Sequence, residues 1–168
     1  MSLTEDEASN LVSLLKKCEP GKLPSNVFEA VAKVAVYPAI EFVLLRHTVE
    51  GTETLLFQRS PDDPVWPSLF HTPGTVLRPT DKSLEDAISR LFRDELGGIA
   101  LSEQHFTGVY FNKYLRGNSV GIEYWLEVSG IPPKGRFYNI NDLPQDFIAE
   151  QKDLLARAAR AFSQAVNQ

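Results

Sequence analysis

The sequence predicts an α/β domain in which helices bracket a mixed β-sheet, and three observations carry that expectation. Leu84, Ala87, Ile88, Leu91 and Phe92 recur at i, i+3, i+4, i+7 and i+8, the spacing of one buried helical stripe. Five segments, at 39–46, 54–59, 107–111, 120–128 and 136–140, are rich in β-branched, aromatic and aliphatic residues and are bounded by turn formers. A chain of 168 residues, 43% hydrophobic and 23% charged, has the size and composition of one domain with one core.

The elements follow in chain order. Thr4 and Glu7 read as a capping box, and Ala8, Leu11, Val12, Leu15 and Cys18 then share one face of an amphipathic first helix, with Cys18 as a buried helical thiol. Glu19-Pro20-Gly21 ends it, and Ser25 can cap a short second helix carrying Val27, Phe28 and Val31. Pro38 closes that segment, so residues 1–37 read as an N-terminal helical extension and 38–168 as the main domain. Residues 39–46 and 54–59, with Glu50-Gly51-Thr52 between them, read as a hairpin or an adjacent strand pair. Ser60-Pro61-Asp62-Asp63-Pro64-Val65-Trp66-Pro67 has too many prolines for regular structure and opens a loop that runs to Lys82, long enough to expect it to be functional or disordered. The striped helix comes next and stops at Gly97-Gly98; three more strands and a final helix over 145–166 complete the chain.

Composition narrows the function. No apolar run approaches the ~18 residues that cross a bilayer, and the start, Met1-Ser2-Leu3-Thr4-Glu5-Asp6-Glu7, is acidic where a leader would be basic. A soluble cytoplasmic protein with no membrane partner is expected. One cysteine allows no internal disulfide. The net charge of -5, with no basic cluster denser than Lys16-Lys17, argues against long nucleic acid as a partner and leaves room for a small phosphorylated molecule.

Chemistry concentrates at the end of the striped helix. Extending the stripe past Phe92 puts Glu95 on the buried face and Asp94 at its edge. A buried carboxylate needs a cation, a set of donors or a proton. Arg90, four residues before Asp94, can supply a salt bridge; a divalent ion, which takes oxygen ligands and brings phosphates, is the other solution. His47, His71 and His105 lack ligand spacing, and only His71, beside Phe70 and Pro73 in the long loop, is placed as a candidate general acid or phosphate donor. Glu123, Trp125 and Glu127 alternate onto one strand face, which offers Glu123 and Glu127 as extra carboxylates against the plainer reading of a solvated face. Tyr110, Phe111, Tyr124 and Trp125 read as core aromatics.

From Gly74 through Arg90-Leu91-Phe92-Arg93-Asp94-Glu95-Leu96-Gly97 the chain resembles the Nudix hydrolase family, MutT-like proteins whose signature is G-x5-E-x7-R-E-U-x-E-E-x-G-U. Arg90, Glu95 and Gly97 agree with it, and Asp94 is a conservative change. The box is degenerate elsewhere. Val76 falls where the first glycine belongs, so Gly74 serves only across a longer loop; Lys82 and Leu91 replace two glutamates, and Gly98 replaces the last aliphatic residue. Leu55-Leu56-Phe57-Gln58-Arg59-Ser60, Trp66 and Gly135-Arg136-Phe137-Tyr138 extend the likeness outside the box.

The resemblance implies a Nudix-type α/β/α sandwich and a hydrolase that cleaves a diphosphate linkage in a small, nucleoside diphosphate-linked molecule. By carry-over, Asp94 and Glu95 are the ligands for Mg²⁺ or Mn²⁺, weakly held without substrate, with Glu95 and Arg90 catalytic and Gly74 and Lys82 touching substrate. Two alternatives stand. One is a module that has lost turnover with its two carboxylates and binds a phosphorylated ligand or a protein. The other is an enzyme similar to isopentenyl-diphosphate isomerases, suggested by Trp66-Pro67-Ser68-Leu69-Phe70, although that chemistry needs a loop cysteine and the chain has only Cys18.

Overall fold

A computed structural model describes residues 2–97, 103–129 and 133–166. Helices α1 (Glu5–Leu15) and α2 (Ser25–Val34) precede a central strand β1 (Tyr37–Thr48) and its hairpin partner β2 (Gly51–Gln58). Two short strands, β3 (Phe70–His71) and β4 (Gly74–Val76), lie within the proline-rich connection that the sequence predicts as a plain loop. Helix α3 (Leu84–Asp94), the strands β5 (His105–Tyr114), β6 (Gly117–Glu127) and β7 (Arg136–Asn139), and α4 (Lys152–Val166) follow.

Among the described residues the strands form one seven-stranded sheet, ordered β3-β2-β1-β6-β5, with β4 added to β1 and β7 to β2. β1 pairs with β6 in parallel from Tyr37↔Ser119 to Leu45↔Glu127, and the other strand pairs are antiparallel, which makes the sheet mixed as expected. On its other edge β1 changes neighbour, from β4 at Ala39–Glu41 to β2 at Leu45–Thr48.

The period-two alternation of β1 sorts its side chains between two cores. Ile40, Phe42 and Leu44 pack with Leu55, Phe57 and the α3 stripe of Ala87, Ile88, Leu91 and Phe92. Val43 and Leu45 pack with Trp125 against Leu154, Leu155, Ala158 and Phe162 of α4. Helices therefore cover both sheet faces, the α/β/α layering expected. α3 begins at Ser83, whose hydroxyl accepts the Asp86 N–H, and turns off at Gly97, whose φ of +61° suits a residue without Cβ. Gly98 lies outside the described residues.

Several local expectations are corrected. The capping box of α1 is present, but none of its residues is buried, and Cys18 is half-buried beyond the helix end rather than inside a packed face. Ser25 is the first residue of α2, not its cap; Pro24 holds the cap position, with φ of -53° and no side-chain hydrogen bond. Pro38 lies inside β1. The last helix starts at Lys152, since residues 144–148 are held by turns and by the parallel bridge of Phe70 to Phe147. Among the described residues no helix is long and apolar enough to cross a membrane.

Candidate functional site

Tyr37, Ala39 and Glu41 continue on the α4 side of β1 beyond the reach of the α4 core, and a cleft opens over them. The end of β2 contributes Arg59, the proline-rich loop Trp66 and Thr72, the β5–β6 turn region Tyr114 and Arg116, and the approach to α4 Gln151. Asp63 organises the loop: Oδ1 accepts the N–H groups of Val65 and Trp66 at 3.0 and 2.8 Å, and Oδ2 accepts Arg59 Nη1 at 3.0 Å. Burial alone would raise its pKa, but these donors, with Arg116, win and hold the carboxyl below its ordinary value. Arg116 pairs with Glu29 at 2.8 Å, and the guanidiniums of Arg59 and Arg116 lie 5.3 and 4.9 Å from the Trp66 ring. A Pro-Asp-Asp-Pro loop is thus built around one ion-paired carboxylate, a function for Asp63 that turn composition does not reveal.

Gly74 lies between two carboxylates. It pairs with Glu41 across β1 and β4, and a Cβ on Gly74 would stand 2.6 Å from Glu41 Oε2 and 3.0 Å from the Ile40 carbonyl oxygen, so a side chain there must displace the buried carboxylate. Its N–H lies close enough to the carboxylate of Glu95, the C-cap of α3, to favour the charged form. Glu41 is buried, and burial followed by the field of Glu123 pushes its pKa up to about 8 against the opposing pull of Arg59. Glu95 is pushed up to about 7, again chiefly by burial, with Arg59 and the Gly74 N–H limiting the rise.

The sequence-predicted residues divide. Arg90 does orient a carboxylate, but that of Asp81: Nε and Nη2 lie 2.9 and 2.8 Å from its oxygens, while Nη1 donates to Thr75 Oγ1 and Nη2 to the Val76 carbonyl. Asp94 points outward, half exposed, and meets Arg93 at 3.0 Å, because it falls at the edge of the stripe rather than on it. Lys82 is exposed, and its backbone N–H donates to Asp86. Glu127 ends β6 on the surface. Glu123, for which a solvated face is the plain expectation, is fully buried, its oxygens bound by Arg157 Nε and Nη2 at 2.9 and 2.6 Å. His71 is buried; Nδ1–H donates to the Thr72 carbonyl at 2.7 Å, and burial lowers its pKa to about 4, so it is neutral at ordinary pH. The aromatics are mixed, with Trp125 buried and Phe111 exposed.

The donor set bears on Mg²⁺ or Mn²⁺. Leu91, where the resemblance calls for a carboxylate, is packed in the α3 core; Asp94 is turned away; both oxygens of Glu123 are engaged by Arg157. Among the described residues no three acidic, histidine or cysteine side chains converge on one point. The residues present do not fit a multi-carboxylate ion site.

No family model matches the chain, and no curated protein does. Solved structures do. The NUDIX domain of Shewanella oneidensis NrtR complexed with ADP ribose aligns with a TM-score of 0.62 at 19% identity, covering 95% of this chain and 99% of that one. The fold is a Nudix fold. A mutT/nudix family protein from Listeria innocua gives a TM-score of 0.62 at 15% identity over 78% of this chain and 96% of that one. The C-terminal domain of mouse MUTYH, in complex with human PCNA, gives 0.58 at 15% over 78% and 91%. A longer NrtR chain complexed with a 27mer DNA gives 0.59 at 20%, over 75% and 62%. Proteins of the Nudix fold thus occur with a small phosphorylated ligand, a protein or DNA.

Proposed function

We propose that this protein is a Nudix-fold module that binds a small phosphorylated molecule in the cleft between Glu41, Arg59, Trp66 and Tyr114, without metal-dependent turnover. The observation that carries the reading is a set of donors without acceptors: Arg59 Nε, Thr72 Oγ1 and Tyr114 Oη are all buried in the cleft walls with no partner. Each unpaired buried donor costs about 1–3 kcal/mol, and a ligand rich in acceptor oxygens, such as a phosphate ester, removes that cost. The ADP ribose complex of a protein with the same fold supports the ligand class. Loss of the metal carboxylates at Lys82 and Leu91 supports binding without hydrolysis.

One observation favours the hydrolytic reading: the Glu95 carboxyl, at about 7, has the proton affinity of a general acid or base at neutral pH. On that reading Glu95, with Asp94, would hold Mg²⁺ or Mn²⁺ jointly with substrate oxygens, and Arg90, Gly74 and Lys82 would serve the site. Calorimetric titration of nucleoside diphosphate compounds, ADP-ribose among them, with Mn²⁺ or with chelator, and with product analysis, separates the two. Binding that survives chelation and yields no product is expected, and Arg59→Gln should weaken it by roughly tenfold or more. Product formed only with Mn²⁺ makes the protein a hydrolase; no binding by any compound overturns the ligand reading.

A further inference from the structure

Among the described residues, two apolar surfaces are left uncovered, and they match. α1 is capped and amphipathic, yet Leu11, Val12, Leu14 and Leu15 are 39–51% exposed, and a helix of 11 residues is marginal in water without a partner. At the other surface, β5 is the sheet edge among the described residues, and the register shift between Phe106 and Gly108 brings Phe106, Val109 and Phe111 to one face, opposite Tyr124, Ile122 and Val120 of β6. Those three β5 side chains are 57–60% exposed, on the sheet side where the α3 core takes in β1, β2 and the Leu126 end of β6 but no residue of β5. An apolar edge strand of this length invites pairing or cover.

Length and charge both fit. α1 is roughly 16 Å long at about 1.5 Å per residue, and Phe106 to Phe111 spans roughly 17 Å at about 3.3 Å per residue. The first turn of α1 carries Glu5, Asp6 and Glu7, and the exposed Lys16 and Lys17 follow its end. The β5 patch has the exposed Glu103 before its start and Lys113 near its end. A helix laid with its N-terminus toward Lys113 therefore meets opposite charge at both ends. We propose that α1 of one copy covers the β5/β6 face of a second copy, each copy giving its helix to the other, so that the protein is a homodimer. A reciprocal exchange is the isologous arrangement that closes without leaving a further sticky edge.

Sedimentation of the full chain over a concentration series should show a monomer–dimer equilibrium. Leu11→Asp/Leu15→Asp and Phe106→Asp/Phe111→Asp should each raise the dissociation constant at least about tenfold, with thermal melts confirming that both stay folded. A disulfide trap gives an independent readout. In a Cys18→Ser background, Val12→Cys with Val109→Cys should oxidise to a covalent dimer on a non-reducing gel. A bond within one chain would overturn the proposal by showing that α1 covers its own sheet. So would a wild type that stays monomeric throughout the series, or a dimer that neither aspartate pair weakens.

Discussion

Arg90 and Asp81 form a bidentate pair nine residues apart, with donor–acceptor distances of 2.9 and 2.8 Å and both side chains about nine-tenths covered. Nη1 donates to Thr75 Oγ1, Nη2 also donates to the Val76 carbonyl, and Asp81 Oδ2 also accepts the Arg78 N–H at 2.7 Å. One arginine thereby ties β4 to the turn that launches α3, and β4 carries Gly74.

Asp81→Asn should therefore destabilise the fold by about 1–3 kcal/mol, because it keeps the shape but leaves the guanidinium without its counter-charge. Urea denaturation at neutral pH measures this. A change within the ~0–1 kcal/mol of an exposed pair would mean that solvent already screens the contact.

Leu91 separates packing from ligation. It is 1% exposed at the centre of the α3 stripe, so Leu91→Ala should cost about 2–5 kcal/mol through the cavity it leaves. Leu91→Glu should cost more, since it buries a charge, and should bind Mn²⁺ no better than wild type does. A folded Leu91→Glu protein with tightened Mn²⁺ affinity would show that this helix face can turn toward an ion.

Much of the architecture is legible in the sequence because periodicity reports burial directly. The α3 stripe is patterned by one packing surface, and the apolar runs flanking Gly51 mark strands that pack against a core. The first helix misleads for the same reason: its stripe is real, but nothing within the described chain covers it. The site is less legible. The box spacing draws attention to Lys82, whereas the carboxylate that Arg90 holds is Asp81 next to it, and strand alternation cannot tell that Arg157 arrives from α4 to neutralise Glu123. Glu41 carries no signal at all. It is one acid in an apolar strand, and its importance comes from Gly74, Arg59 and Glu123, which are remote in sequence.

The Glu123–Arg157 pair should behave as a unit. Arg157→Gln leaves a fully buried carboxylate with little beyond Asn112 Nδ2, at 3.3 Å, and should cost on the order of 3 kcal/mol. Replacing both partners, as Glu123→Gln with Arg157→Met, should cost less than the sum of the single changes. Strict additivity in a double-mutant cycle on unfolding free energy would refute the coupling.

Glu41 sets how stability depends on pH. Its pKa is about 8 in the fold against an ordinary 4.5, so between those values the folded chain holds a proton that the unfolded chain has released. Stability must then fall as pH rises through that window and level off above 8. Glu95, at about 7, adds a loss of the same sign that is half titrated at pH 7 and fades over the next unit. His71 acts in the opposite sense: lowered from 6.5 to about 4, it makes the fold gain stability as pH rises from 4 to 6.5, which masks the carboxyls there. Above pH 7 the Glu41 loss stands clear of His71 and exceeds the remainder from Glu95. Ionisation of Glu41 should cost wild type about 1 kcal/mol between pH 7 and 8, approaching the limit of one proton per pH unit, and Glu41→Gln should keep only the shallower slope that Glu95 leaves. Glu41→Gln should also be the more stable protein at pH 8, because an amide in that buried position carries no charge to desolvate. Equal slopes for the two proteins in urea melts across that interval would mean that Glu41 is ionised in the fold at neutral pH, with Arg59 compensating it in full.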